Sequence, residues 1–177
     1  WYRGLEYPKE RERGYESTED LLTPGYFEMP IKKGESIIFS AGIAPIKPKE
    51  ISVLLDKERE SLDHRDSFYH CLVNAAHQFR VTKDGENYLL AGYPWFKPRA
   101  RDTFISMPGL TLAIGEKERF EMYMATASKA IYNLIRKEPL EVDIYEMEQP
   151  DTLLWAIWCI QQYAKYTSRT ACYEKYG

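Results

Sequence analysis

Apolar residues fall into two regimes along the chain. Residues 1 to about 60 carry Pro8, Pro24, Pro30, Pro45 and Pro48, with short apolar runs such as Ser36-Ile37-Ile38-Phe39-Ser40 behind a Lys33-Gly34 turn signal. Short runs bounded by turn residues predict strands, so this part is expected to be β-rich. Lys47 to Arg65 mixes Lys with Glu and Asp and has little apolar content, which predicts a linker. From Phe68 onward the period changes. Phe68, Leu72, Ala75, Ala76 and Phe79 lie on one face of a predicted helix. Val81 to Leu90, broken by Lys83-Asp84-Gly85, reads as a hairpin. A second helical face follows through Phe120, Tyr123, Met124, Ala127, Ile131, Leu134 and Ile135, ending before Pro139. The last strong helix starts after Pro150 with Asp151 placed as N-cap. Leu153 to Ile160 is apolar on every face, which predicts burial on most sides.

With 177 residues, 44% of them hydrophobic, the chain can bury one substantial core but not that of a large multidomain enzyme. A net charge of -3, with charges of both signs, argues against nucleic acid as partner. The apolar run Leu153–Ile160 is too short to span a bilayer, so no membrane is expected. Cys71, Cys159 and Cys172 form an odd set without C-x-x-C spacing and read as reduced, buried thiols, which suits a cytoplasmic location. His70 and His77 are two helical turns apart, too far to share a metal, and His64 adds no ligand pattern, so neither metal nor cofactor is expected. The start at Trp1, followed at once by the charged stretch Lys9 to Arg13, reads as a chain cut from something longer.

Three segments carry a family resemblance. Ala91-Gly92-Tyr93-Pro94-Trp95-Phe96, then Arg101-Asp102-Thr103-Phe104-Ile105 and Pro108-Gly109-Leu110, resembles the A-G-Y-P-W-F…R-D-T-F-I…P-G-L signature of glycogen debranching enzymes. Glu6-Tyr7-Pro8 and Glu10-Arg11-Glu12-Arg13-Gly14, with Glu19-Asp20-Leu21 and Pro24-Gly25, resembles the family's domain junction. Asp151-Thr152-Leu153-Leu154-Trp155, continuing to Gln161-Gln162-Tyr163, is similar to its D-x-x-L-W…Q-x-Y helix start. One departure is chemical: the family's Trp-Gly pair before Arg-Asp is replaced here by Arg99-Ala100, which adds a charge beside the expected sugar pocket.

The resemblance implies a mixed fold. Residues 1–60 would be the end of a β-sandwich-type domain and its linker, and residues 61–177 the first helices of an (α/α)6 toroid of six hairpins. It implies hydrolysis of α-1,6-glucosidic branch points with inversion, acting on glycogen, limit dextrin or a related α-glucan. That chemistry needs a carboxylic acid for the leaving oxygen and a second carboxylate, roughly 6.5–9.5 Å away, to activate water. The resemblance places the acid at Asp151 and the base on a Glu beyond this sequence, so the chain alone is expected to be inactive. A helix start favours an ionised carboxylate whereas burial favours the protonated form, and Asp is equally a favoured N-cap, so a simple capping role stays open.

Arg101 and Asp102 look like the family's pair that holds the terminal glucose through neighbouring hydroxyls. A structural ion pair is the alternative. Trp95 and Tyr93 suit stacking on a sugar face and suit packing equally well, while Phe96 reads as core. Glu146 and Glu148 flank the acid and read as solvated loop carboxylates that could support it. Two other readings fit the same residues: a non-catalytic α-glucan-binding module, and a glucoamylase-like or trehalase-like six-hairpin glucosidase.

Overall fold

The computed structural model describes residues 1–177, about 49% helical and 12% strand, so helices carry the architecture. The chain divides into two units, Trp1–Asp56 and Lys57–Gly177. In the first, β1 (Tyr2–Glu6) pairs antiparallel with β2 (Thr18–Leu21), and α1 (Pro8–Glu12) lies between them in sequence. Pro8 opens α1, a position where its missing N–H costs nothing. The exposed pairs Arg11–Glu6 at 2.8 Å and Lys9–Glu12 at 2.9 Å decorate it. Ser36–Ser40 is not a strand: no neighbouring strand offers a ladder, and the run lies open with Phe39 against the Phe27 ring at 5.3 Å. The expected β-rich segment is thus one hairpin amid irregular chain.

The expected linker over Lys47–Arg65 is largely helical, forming α2 (Pro48–Glu60). Pro48 opens the helix, where its missing N–H costs nothing, and no Gly or further Pro interrupts the run after it.

In the second unit, α3 (Phe68–Gln78) is capped by Ser67, whose Oγ accepts the His70 amide at 3.1 Å. Its buried face is Val73, Asn74 and Ala76; Ala76 is as expected and Ala75 and Phe79 are half-buried, but Phe68 and Leu72 are exposed. Asn74 explains the difference. Its amide donates to Asp63 O at 2.8 Å and accepts from Asp63 N at 3.0 Å, so a polar pairing sets the face that turns inward. The hairpin β3 (Arg80–Lys83) and β4 (Glu86–Leu89) forms as expected. Asp84 and Gly85 both take positive φ, 53° and 81°, the conformation a tight two-residue turn demands.

Three helices enclose the core: α4 (Ala100–Leu110), α5 (Lys117–Arg136) and α6 (Thr152–Tyr166), with α7 (Arg169–Tyr176) packed on α6. Phe104, Met107, Phe120, Met124, Ala127, Met147 and Cys159 are sealed from solvent. α5 buries Phe120, Tyr123, Met124 and Ala127 as its period predicts. Ile135, on its last turn, is exposed, while Asn133 and Leu134 beside it turn inward.

The correction on α6 is larger. Ala156, Cys159 and Tyr163 face the core, but Leu153, Leu154 and Ile157 face solvent, Leu154 with 66% of its surface open. A run apolar all round is therefore covered on one side only.

α7 is tied down by Glu121, which accepts from Lys175 Nζ at 2.7 Å and Tyr163 OH at 2.5 Å. Those donors, Lys175 first, hold the Glu121 carboxyl below the usual carboxylate range. Burial, with Glu121 beside it, pushes the Tyr163 phenol up to about 12. A group with a lowered folded pKa stabilises above its unfolded value and loses that contribution as pH falls through the folded one. Glu121→Gln is accordingly expected to cost about 1–2 kcal/mol at neutral pH. Thermal unfolding should show that gap closing as the pH falls below the carboxylate range.

Candidate functional site

The residues singled out from sequence lie on two segments far apart in the chain, and a backbone strap joins them. Residues 98–100, leading into α4, run parallel to Tyr145, upstream of α6: Tyr145 N donates to Pro98 O at 3.0 Å and Ala100 N to Tyr145 O at 2.9 Å. Farther along, Met107 Sδ and Cys159 Sγ meet at 3.9 Å, each eight residues into its helix. The two helices therefore run side by side in the same direction, starts together. That places Arg101, in the first turn of α4, beside Asp151 at the head of α6.

Asp151 occupies the N-cap position of α6, but its backbone is already near-helical (φ -96°, ψ -5°) and its side chain accepts no backbone N–H. This corrects the expectation of a capping carboxylate. Oδ2 of Asp151 instead accepts from Trp155 Nε1 at 3.1 Å and lies 3.3 Å from Arg101 Nε. The carboxylate is part-exposed. Trp155 is one turn along the same face, the i, i+4 relation in which side chains meet. Sequence reasoning placed Trp155 in the motif and gave it no role, although the Asp-x-x-x-Trp spacing was the available signal.

Arg101 does not pair with Asp102. Its Nε faces Asp151, while Asp102 borders a hollow of about 200 Å³ between α4 and the Phe79 and Leu90 side chains. One turn on, Ser106 Oγ donates to the Asp102 carbonyl at 2.7 Å. Glu146 pairs with Arg99 at 3.6 Å, so the residue that departs from the family signature is neutralised by a loop carboxylate. Glu148 is exposed.

Trp95 lines a separate cleft of about 310 Å³ with Tyr88, Phe96, Lys97, Asp143 and Tyr145. Its own surface is 87% exposed, and Tyr93, 57% exposed, stands outside that cleft, so neither is packed into the core. Phe96 is also out of the core, which corrects the expectation. It closes a tight loop by donating its amide to Gly92 O at 2.9 Å, and the Arg99 guanidinium lies 5.5 Å above its ring. A Cβ on residue 92 would sit 2.6 Å from the Phe96 ring, which is why that turn carries glycine.

His70 and His77 find structural partners. His70 Nδ1 is 2.6 Å from Asp66, and His77 Nε2 is 3.2 Å from Glu116. Glu116 also lies 2.5 Å from the Arg80 guanidinium, which in turn donates to Leu110 O at 2.9 Å and closes the end of α4. No cluster of His, Cys, Asp and Glu has the geometry of a metal site. All three cysteines are free. Cys159 is buried, and burial pushes its thiol up, but Cys71 is exposed because its helix face is the one turned outward. No helix is long and apolar enough to cross a membrane.

Two family models match the chain. A family model described as "Amylo-alpha-1,6-glucosidase" matches residues 68–175, which contain the strap, both helix starts and the Trp95 cleft. A second, "Glycogen debranching enzyme N terminal", matches residues 1–38. No curated protein and no solved structure matches the chain.

Proposed function

Because the chain belongs to the glycogen debranching enzyme family, through an amylo-alpha-1,6-glucosidase match over most of its length, we propose that it carries the acid half of an α-1,6-glucosidase site. The observation behind this reading is the meeting of Arg101 and Asp151 at 3.3 Å across two helix starts. The substrate would be a branched α-glucan such as glycogen or limit dextrin.

In the proposed reaction a base carboxylate takes a proton from water as the water oxygen attacks C1 from the face opposite the leaving group. The C1–O6 bond breaks with its electron pair on O6, and O6 takes the proton of Asp151. The product configuration is inverted. Arg101 uses Nε on Asp151, and its two Nη groups are the donors left for hydroxyls of the terminal glucose. Asp102 accepts from a neighbouring hydroxyl, and Trp95 and Tyr93, as exposed aromatics, offer stacking faces. We place no base in this chain, and no metal or cofactor has a role.

The parallel pairing of α4 and α6 suits neighbouring inner helices of an (α/α)6 toroid, with residues 61–177 supplying its first hairpins and residues 1–60 the end of a preceding β-rich domain. Free thiols suit a cytoplasmic enzyme. The 177-residue chain alone is expected to release no glucose from limit dextrin, since it holds an acid and a sugar-holding arginine without a base. Glucose release from the purified chain would refute this division of roles. Saturable binding of dextrin by a complete enzyme without turnover would favour a glucan-binding module.

A further inference from the structure

The two contacts that reach the Asp151 carboxylate converge on one oxygen. Trp155 Nε1 donates to Oδ2 at 3.1 Å from within α6, and Arg101 Nε approaches the same Oδ2 at 3.3 Å from α4. No hydrogen bond reaches Oδ1. We propose that Trp155 is a positioning residue for the acid: its indole N–H and Arg101 Nε fix Oδ2, leaving Oδ1 as the oxygen that hands a proton to the departing glycosidic oxygen. This rests on the reading of Asp151 as the acid.

The chemistry follows from what each oxygen can do. A protonated carboxyl has one carbonyl oxygen, which only accepts, and one hydroxyl oxygen, which donates. The indole N–H on Oδ2, with the Arg101 guanidinium charge beside it, fits the accepting role and opposes a proton there, so the proton goes to Oδ1. After transfer, the same groups remain satisfied by the carboxylate. One rigid arrangement therefore serves the start and the end of the step, and no side chain has to reorient.

Trp155 is suited to the task. It is half-buried, and the Trp158 ring meets it edge-on at 5.5 Å and 81°, which restricts how its indole can turn. The Asp151 carbonyl also accepts the Trp155 amide at 3.0 Å, so main chain and side chain tie the same two residues. Arg99, the next cation along the chain, pairs with Glu146 and makes no contact with Asp151.

The test uses Trp155→Phe in the complete enzyme, which removes the N–H and keeps most of the ring. Two substrates separate the outcomes. In limit dextrin the leaving O6 needs a proton, whereas in α-glucosyl fluoride the C1–F bond breaks to release fluoride, which needs none. The variant is expected to lose about tenfold in kcat on dextrin with little change in KM, the scale of one hydrogen bond to a charged group. Turnover of the fluoride should stay near wild type. Equal loss on both substrates would mean general structural damage and would overturn the proposal, as would no loss on dextrin.

Asp151→Asn is the control for the underlying reading. If it too is selectively defective on dextrin while Trp155→Phe is normal, only the role of Trp155 falls. If it loses nothing on dextrin, Asp151 is not the acid and both readings fall. Within the 177-residue chain, Asp151→Ala should shift the Trp155 indole N–H resonance, and an unmoved resonance would also count against the proposal.

Discussion

Replacing Asp151 by Asn in the complete enzyme is expected to lower kcat on limit dextrin by about 10²–10⁴-fold, the range a positioned general acid contributes, while KM changes little. The asymmetry comes from when the group acts: a proton donor is needed as the C1–O6 bond breaks, not when the glucan docks. Asn has nearly the same shape and still offers an oxygen to Trp155 and Arg101, so the helix start should survive. Asp151 makes no bond to the backbone N–H groups of α6, so the melting temperature should hardly move. A normal kcat would reduce Asp151 to a surface carboxylate held by an arginine.

Arg101→Ala should cost at least about 2 kcal/mol in kcat/KM, the scale of a charge-assisted hydrogen bond left unmade. Here KM and kcat should worsen together. The Nη donors proposed for the sugar serve ground and transition states alike, whereas the Nε contact to Asp151 acts on the acid. Lys should rescue poorly, because a single ammonium cannot face the carboxylate and two hydroxyls in one plane. Melting temperature must be measured on the same protein. Lost stability with intact kinetics of the surviving enzyme would make Arg101 a structural ion-pair partner and end its assignment to the sugar.

Local signals were legible where they were self-contained. The Lys83-Asp84-Gly85 turn requires positive φ whatever surrounds it, and α5 announces its buried face over five turns. Features that depend on a partner element were not. Ser36–Ser40 has the composition of a strand but no strand beside it, and α3 turned because Asn74 found Asp63. The α6 run looked fully buried because composition does not say which neighbours exist. At the site, the motif pointed to Asp151, Arg101 and Asp102. The pairing of Arg101 with Asp151, in place of Asp102, depends on the strap between residues 98–100 and Tyr145, and no local pattern encodes that.

The strap also sorts the loop before α6 into parts with different tolerance to length change. Glu138–Glu141 is exposed and lies upstream of the hydrogen bonds at Tyr145, so residues gained or lost there would be taken up as slack, at the small cost of lengthening a surface loop. Glu146–Pro150 has no such freedom. It spans a fixed distance between the strap and Asp151, with Met147 buried beneath it and the Thr152 hydroxyl reaching back to Glu146 O at 3.4 Å. A single residue inserted in this arm would have to bulge against the buried Met147 and would loosen the placement of Asp151 beside the Arg101 guanidinium. Length changes in the first part of the loop should therefore leave the site intact, whereas an insertion or deletion in the second should disturb it.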